Sequence, residues 1–307
     1  MKVSFIIPVY NEENVVSIFY NKLMEHSNLN VHELELLFID DGSTDGTLSI
    51  LKEMCVIDSR VKVISFTKNF GKEAALRAGF DYCSGDAVIP IDVDLQDPLD
   101  IVEDMIDRWK NGADIVLAKR VDRSSDTIFK RITAKLFYKV YNMISYQHIE
   151  ENVGDFRLLD RKVVENIKLL NEKNLFMKGI LSWVGGSEIA VIEYTRADRI
   201  GGKSKFNFCK LYDLAMNGVT SFSTVPLRIW MPIGIVLLLF SFISMLINIS
   251  CYLFLNTSTY INSVFICLLF LSGIHLIALG IIGEYLHTVL VEIKNRPIYI
   301  IKSRFNV

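Results

Sequence analysis

The stretch Ala87 to Pro98 reads A-V-I-P-I-D-V-D-L-Q-D-P, and the fold turns on it. The apolar run Ala87 to Ile91 ends just as Asp92, Asp94 and Gln96 arrive at alternate positions, so extended backbone would send all three side chains out on one face. Hard oxygen donors of this kind suit Mg2+ or Mn2+, ions that keep places for water and substrate phosphates. A strand running into an acidic turn would carry the same letters, because short D-x-D strings are common.

Working outward, other apolar runs behave alike. Val3 to Val9 stops at Tyr10-Asn11-Glu12-Glu13, and Leu34 to Ile39 runs into Asp40-Asp41-Gly42-Ser43. Val61 to Phe66 and Asp114 to Ala118 complete the set. Helical patterns lie between them at Val15 to Glu25, Thr47 to Met54, Lys72 to Tyr82 and about Leu99 to Asn111. Nearly continuous apolar strands alternating with helices predict a parallel sheet covered on both faces. Such sheets bind ligands at the carboxyl ends of their strands, where Asp40, Asp41, Asp92 and Asp94 fall together with Pro8, Val9 and Tyr10.

Several chemistries are excluded. Lys and Arg total 33 against 35 Asp and Glu, a formal net charge of −2, which argues against a general nucleic-acid binder. No G-x-G-x-x-G follows the first run, and the Gly202-Lys203-Ser204 string lacks the first glycine of a P-loop, with Ala197 in its place. The five histidines form no ligand-like cluster, so zinc chemistry is not expected. The five cysteines are scattered without a C-x-x-C pair, as reduced thiols on a cytosolic face would be.

Beyond Arg120 the character changes. Thr127 to Ile144 reads as a helix with Arg131, Lys135 and Lys139 on one stripe, either a solvated basic face or a surface for anionic lipid heads. Asn152 to Arg157 sets an acid and a base beside Gly154, ahead of a helix near Lys162 to Leu170. Arg196 to Lys205 is a basic, glycine-containing loop, suited either to closing over phosphates or to serving as a flexible linker. Phe206 to Phe222 has the spacing of an interfacial amphipathic helix. Two uncharged runs follow, Ile229 to Leu255 and Ile261 to Gly283, each above the roughly 20 residues that span a bilayer. Basic residues flank the pair on both sides, which predicts a multi-pass protein with its catalytic domain and both ends in the cytoplasm. The expected division is a catalytic domain over 1–200, a basic loop and interfacial helix over 201–225, two transmembrane helices within 226–288 and a cytoplasmic tail over 289–307.

Taken in order, I-I-P-V-Y-N-E-E, F-I-D-D-G-S-T-D-G-T, I-D-V-D-L-Q-D-P, V-G-D-F-R-L, the R-x-x-G-x-S-K-F form at Arg199 to Phe206 and the C-terminal hairpin resemble family 2 glycosyltransferases of the dolichol-phosphate mannose synthase type. N-F-G-K-E near Asn69, E-E-N-V-G-D-F-R near Glu150, N-L-F-M-K-G-I-L-S-W-V-G-G near Asn174 and K-N-R-P near Lys294 are similar to the bactoprenol glucosyltransferase subgroup. The resemblance implies a Rossmann-like GT-A domain, an interfacial helix and a two-helix membrane hairpin. It implies inverting transfer of glucose from UDP-glucose to undecaprenyl phosphate in the bacterial inner membrane. A flippase and a surface glucosyltransferase would act downstream in O-antigen modification. A homo-oligomer, a tetramer included, is compatible with it.

The resemblance further implies that Pro8, Tyr10 and Glu12 line the nucleotide pocket and that Asp40 or Asp41 hydrogen-bonds uracil or ribose. Asp92, Asp94 and Gln96 would hold Mg2+ or Mn2+, and Arg120 would assist at the pyrophosphate. Arg131, Arg199 and Lys203 would hold the lipid phosphate. The catalytic pair would be Asp94, through the metal, and Asp155, at the position usually proposed as base. Transfer of mannose from GDP-mannose or of an aminoarabinose derivative, a processive synthase, a non-catalytic scaffold and a lipid-sugar carrier are the rival readings. A processive synthase would carry Q-x-x-R-W, and Met105 stands where its glutamine belongs.

Overall fold

A computed structural model describes residues 1–26, 29–121, 139, 141–145, 150, 152–173, 175–186, 188–195, 219, 221, 223–230, 232–237, 239–240, 242–243 and 261–307. The amino-terminal part alternates as expected: β1 (Lys2–Val9), α1 (Val16–Glu25), β2 (Glu33–Asp40), α2 (Thr47–Ile57), β3 (Val61–Phe66), α3 (Lys72–Tyr82), β4 (Ala87–Pro90), α4 (Ile101–Lys110) and β5 (Ile115–Arg120). There follow β6 (Val153–Asp160), α5 (Arg161–Leu169), α6 (Met177–Val184), β7 (Ile189–Tyr194), α7 (Val225–Arg228), α8 (Ile261–Ile293) and β8 (Ile301–Phe305).

The strands form one eight-stranded sheet in the order β7-β5-β6-β4-β1-β2-β3-β8. Successive residues of a strand point to opposite faces. Phe5 and Ile7 of β1 and Leu36 and Phe38 of β2 therefore pack with Phe19 of α1, Leu51 of α2 and Met105 of α4. Ile6, Leu37 and Ile39 pack on the other face with Leu76 of α3, Val164 of α5 and Ile180 of α6. Two helical layers explain why the central strands are nearly continuously apolar, with Ser4 and Glu35 the buried exceptions near their beginnings.

The sheet is mostly parallel, with departures that the sequence did not announce. β1 pairs in parallel with β2 and β4, β2 with β3, and β5 with β7. β6 runs antiparallel between β4 and β5. Reversal brings the start of β6 to the edge where its neighbours end, with Val153 opposite Lys119. The acid and base read as a polar segment ahead of a helix thus belong to an internal strand.

Beyond the sheet, α8 is the one helix among the described residues long and apolar enough to cross a membrane. Its segment Phe270–Ile293 is 24 residues long and wholly unburied. At 1.5 Å per residue that is about 36 Å, more than the roughly 30 Å of a hydrocarbon core. The expected first span, Ile229 to Leu255, lies largely outside the described residues, as do the interfacial helix, the basic helix at Thr127 to Ile144 and the loop at Arg196 to Lys205. The expected tail is partly built into the sheet, because β8 pairs antiparallel with β3. Just ahead of it, the Tyr299 ring stacks on Phe66 at 5.0 Å and its hydroxyl donates to Asp81 at 2.8 Å.

Gly79 sets how closely α3 lies on the sheet, since a Cβ there would stand 2.1 Å from Ile6 Cγ2. Alanine would gain about 1 kcal/mol in helix propensity, but overpacking of this kind costs about 1–3 kcal/mol. Gly79→Ala is therefore expected to lower stability in thermal unfolding, and pairing it with Ile6→Ala should cost less than the two single losses together.

Candidate active site

The cleft lies along the carboxyl edge of the sheet, where loops leaving β1 and β2 are fastened to each other. Asn11, in a left-handed conformation (φ 52), donates its N–H to Ser43 Oγ at 2.9 Å and accepts from Thr44 N at 2.8 Å through Oδ1. Glu12 N donates to Thr47 Oγ1 at 2.9 Å, and Glu13 Oε2 accepts from Gly46 N at 2.8 Å. This places Pro8, Tyr10 and Glu12 beside the Asp40-Asp41 turn.

Both aspartates of that turn are committed inside the protein. Asp40, fully buried, accepts from Ser43 N at 3.0 Å and from Ser65 Oγ at 2.7 Å. Asp41 accepts from Phe70 N at 2.6 Å and Gly71 N at 2.9 Å, tying β2 to the loop that opens α3. Burial raises the Asp41 carboxyl above its ordinary range, against the pull of those two N–H groups.

The D-V-D-L-Q segment is a turn, because β4 ends at Pro90. Leu95 takes a left-handed backbone (φ 58), which breaks the simple alternation expected of Asp92, Asp94 and Gln96. Asp94 is buried and accepts from Gln96 N at 3.2 Å. Asp92, about one-third exposed, receives the Lys72 ammonium at 2.7 Å. The same ammonium is 2.8 Å from Asp155, which β6 delivers from the opposite direction. The reversed strand therefore brings Asp92 and Asp155 to one cation.

Arg120, at the end of β5, donates through Nε to the Tyr194 hydroxyl at 3.0 Å, and that hydroxyl donates to Asp97 at 2.7 Å. Gly154 leaves room for this guanidinium, since a Cβ there would stand 3.3 Å from Arg120 Nη2. The lipid-phosphate candidates Arg131, Arg199 and Lys203 lie outside the described residues.

Charge and burial compete throughout the cleft. Burial alone would raise Asp155, but Lys72, Lys178 and Arg157 hold it far below the usual carboxylate range. Burial would likewise lower Lys72, and the charges of Asp155 and Asp92 raise it instead. Glu73, whose carboxylate accepts from Met177 N at 2.8 Å, is pushed up to about 7, by burial first and by the charge of Asp155 second.

Among the described residues no three His, Cys, Asp or Glu side chains gather as a closed metal centre requires. Mg2+ and Mn2+ do not need one, being held by one or two carboxylates together with substrate phosphates. Asp92, Asp94 and Gln96 are hard oxygen donors of that type, and Asp92 already faces a cation. The residues fit such an ion.

Lys72, Glu73, Asp97 and Tyr194 join the site beyond what the sequence predicts. One local signal pointed to Lys72: a cation in the first turn of a helix opposes the helix dipole and calls for a compensating anion.

The chain belongs to glycosyl transferase family 2, whose model matches residues 4–168. It is a glycosyltransferase with the GT-A form of the Rossmann-like fold. It is 54% identical over 304 residues to the SfII prophage-derived bactoprenol glucosyl transferase of Shigella flexneri, covering 99% of this chain and 98% of that one. It is 53% identical over 308 residues to the prophage bactoprenol glucosyl transferase homolog of Escherichia coli K12, covering 98% and 99%. The glycosyltransferase YkcC of Bacillus subtilis is 42% identical over 305 residues, covering 99% and 94%.

The raised Glu73 carboxyl has a consequence for stability. A carboxyl with a folded value near 7 and an unfolded value near 4.5 holds its proton longer in the folded state, so stability falls as pH rises between the two. Glu73→Gln, which keeps an acceptor for Met177 N, is expected to raise the melting temperature above pH 7, with the gain vanishing below about pH 4.5. A gain independent of pH would contradict this account.

Proposed function

We propose that this chain is a membrane-bound inverting transferase that moves glucose from UDP-glucose to undecaprenyl phosphate. The observation that carries the reading is that its likeness to bactoprenol glucosyl transferases runs over 99% of the chain, through α8 and the tail as well as the cleft. A water-soluble donor and a lipid acceptor must meet at a bilayer surface, and a long apolar helix tethered to the catalytic sheet meets that need. We place the protein in the bacterial inner membrane as a two-span hairpin, about 229–255 and 261–283, with the catalytic domain on the cytoplasmic side.

In this reading Pro8, Tyr10 and Glu12 line the nucleotide pocket, and Asp41 is a better base or ribose contact than the more deeply buried Asp40. Asp92, Asp94 and Gln96 would hold Mg2+ or Mn2+, which neutralises charge developing on the departing UDP. Arg120, oriented by Tyr194 and Asp97, faces the pyrophosphate, while Arg131, Arg199 and Lys203 receive the acceptor phosphate. The acceptor oxygen forms its bond to the anomeric carbon as the bond to UDP breaks, and the electron pair leaves with UDP. A phosphate monoester with a second pKa near ~6 is already mostly dianionic at neutral pH and has no proton to give up. Asp155, strongly ionised beside Lys72, is a poor proton acceptor and serves better to orient its cationic neighbours.

Labelled sugar transfer to undecaprenyl phosphate in detergent tests the reading, with UDP-glucose, GDP-mannose and UDP-galactose as donors. Labelling from UDP-glucose that chelator abolishes is expected; labelling from another donor would keep the mechanism and replace the sugar. Asp94→Ala should lose about two to three orders of magnitude in turnover, as sites do on losing a group that stabilises developing charge. Asp155→Asn should retain measurable turnover, and equal loss in both variants would restore a base role to Asp155.

A further inference from the structure

Lys72 has no part in the reaction as described, yet it holds the centre of the cleft. Its Nζ is 2.7 and 2.9 Å from the two carboxylate oxygens of Asp92 and 2.8 Å from Asp155 Oδ2. An ammonium has three N–H donors, and these contacts engage it fully. Without it, the carboxylate of Asp92 from the turn after β4 and that of Asp155 from the reversed strand β6 would lie together in a partly dry cleft, where like charges repel far more than in water.

The backbone that presents Lys72 is fastened on both sides. Asp41 takes the N–H groups of Phe70 and Gly71 immediately before it, and Glu73 immediately after it takes the N–H of Met177. Gly71 is left-handed (φ +98) and faces open space. The side chain is about one-third exposed while its ammonium is held between Asp92 and Asp155, so a new partner for the ammonium has to displace one of these. Asp92 is the shared element, for the residue that Lys72 grips is also a proposed ligand of the divalent ion.

We propose that Lys72 is a positioning residue that gathers Asp92 and Asp155 in the donor-free cleft and competes with the divalent ion for Asp92. A bare ion must break a charge-assisted pair and leave an ammonium with one partner fewer. With a nucleotide bound, its pyrophosphate charge would offer the Lys72 ammonium a replacement partner, so Asp92 would be released to act as a ligand of the ion while Lys72 keeps Asp155. The protein thereby binds its ion weakly alone and tightly with the donor. This inference rests on the proposed reading of Asp92, Asp94 and Gln96 as the ion site.

Mn2+ binding to the full chain in detergent tests it, followed by the loss of the free-ion electron paramagnetic resonance signal, with and without UDP. Wild type should bind Mn2+ weakly alone and more tightly with UDP. Lys72→Met should bind Mn2+ alone about 10- to 100-fold tighter, the span expected for removing one competing charge-assisted contact, and should show a smaller gain from UDP. Lys72→Gln, which keeps a polar end without the charge, should shift the same way, and Lys72→Arg should keep the wild-type pattern. A lysine that only supported the fold would weaken ion binding when removed. Unchanged or weaker Mn2+ binding in both neutral variants, with Asp94→Ala abolishing it, would overturn the role of Lys72 alone. Undiminished Mn2+ binding by Asp94→Ala would overturn the ion-site reading, and this inference with it.

Discussion

The carboxyl edge of the sheet gathers Asp40, Asp41, Asp92, Asp94, Asp97 and Asp155 along one cleft, and their mutual repulsion is the constraint around which the site is arranged. Several devices answer this charge, and Asp94 accepts the N–H of Gln96 in its own turn. Hydroxyl and backbone donors hold Asp40, the N–H groups opening α3 hold Asp41, and a tyrosine backed by an arginine holds Asp97. Lys72 holds Asp92 and Asp155 together. These answers join the loops after β2, β3 and β4 to strands β5, β6 and β7, so the shape of the cleft follows from how its charge is balanced. Concentrated negative charge is also what makes such a cleft receptive to a divalent cation.

The reversal of β6 is the topological step that makes this possible. In a wholly parallel sheet Asp155, near the beginning of its strand, would sit at the far edge from Asp92. Running antiparallel between β4 and β5 brings it back. The cost is a glycine at position 154, where the Arg120 guanidinium passes close to the backbone.

Much of the amino-terminal half was legible because burial on both faces writes itself into the sequence as unbroken apolar runs. β1 through β5 and the helices between them fell close to their expected places. β6 was not legible: V-G-D-F-R-L-L-D carries charges at its site-facing end, and nothing local marks it as internal. β7 shows outward-facing Ile189 and Val191 on an edge, and β8 is a strand only because β3 is there to pair with it. In the site, the expected carboxylates lie at the expected edge, while the cation joining them is not marked by the sequence. The partners of Lys72 lie 20 and 83 positions away, and its residue type is ordinary for the surface. Asp40 and Asp41 carry a nucleotide role in the sequence reading, and their internal commitments depend on Ser65, Phe70 and Gly71, whose side chains or N–H groups nothing in the sequence ties to them.

The strand β8 changes what kind of search this protein performs. It closes the exposed margin of β3, and stacking of Tyr299 on Phe66 anchors the chain that comes directly from α8. With only residues 294–300 between helix and sheet, the cleft is kept on a short leash to α8. With α8 in a bilayer, as proposed, a lipid acceptor would be found by lateral diffusion in a plane, and only a small soluble donor would have to arrive through the volume of the cell. On that reading the edge strand that completes the sheet also reduces the acceptor's search from three dimensions to two.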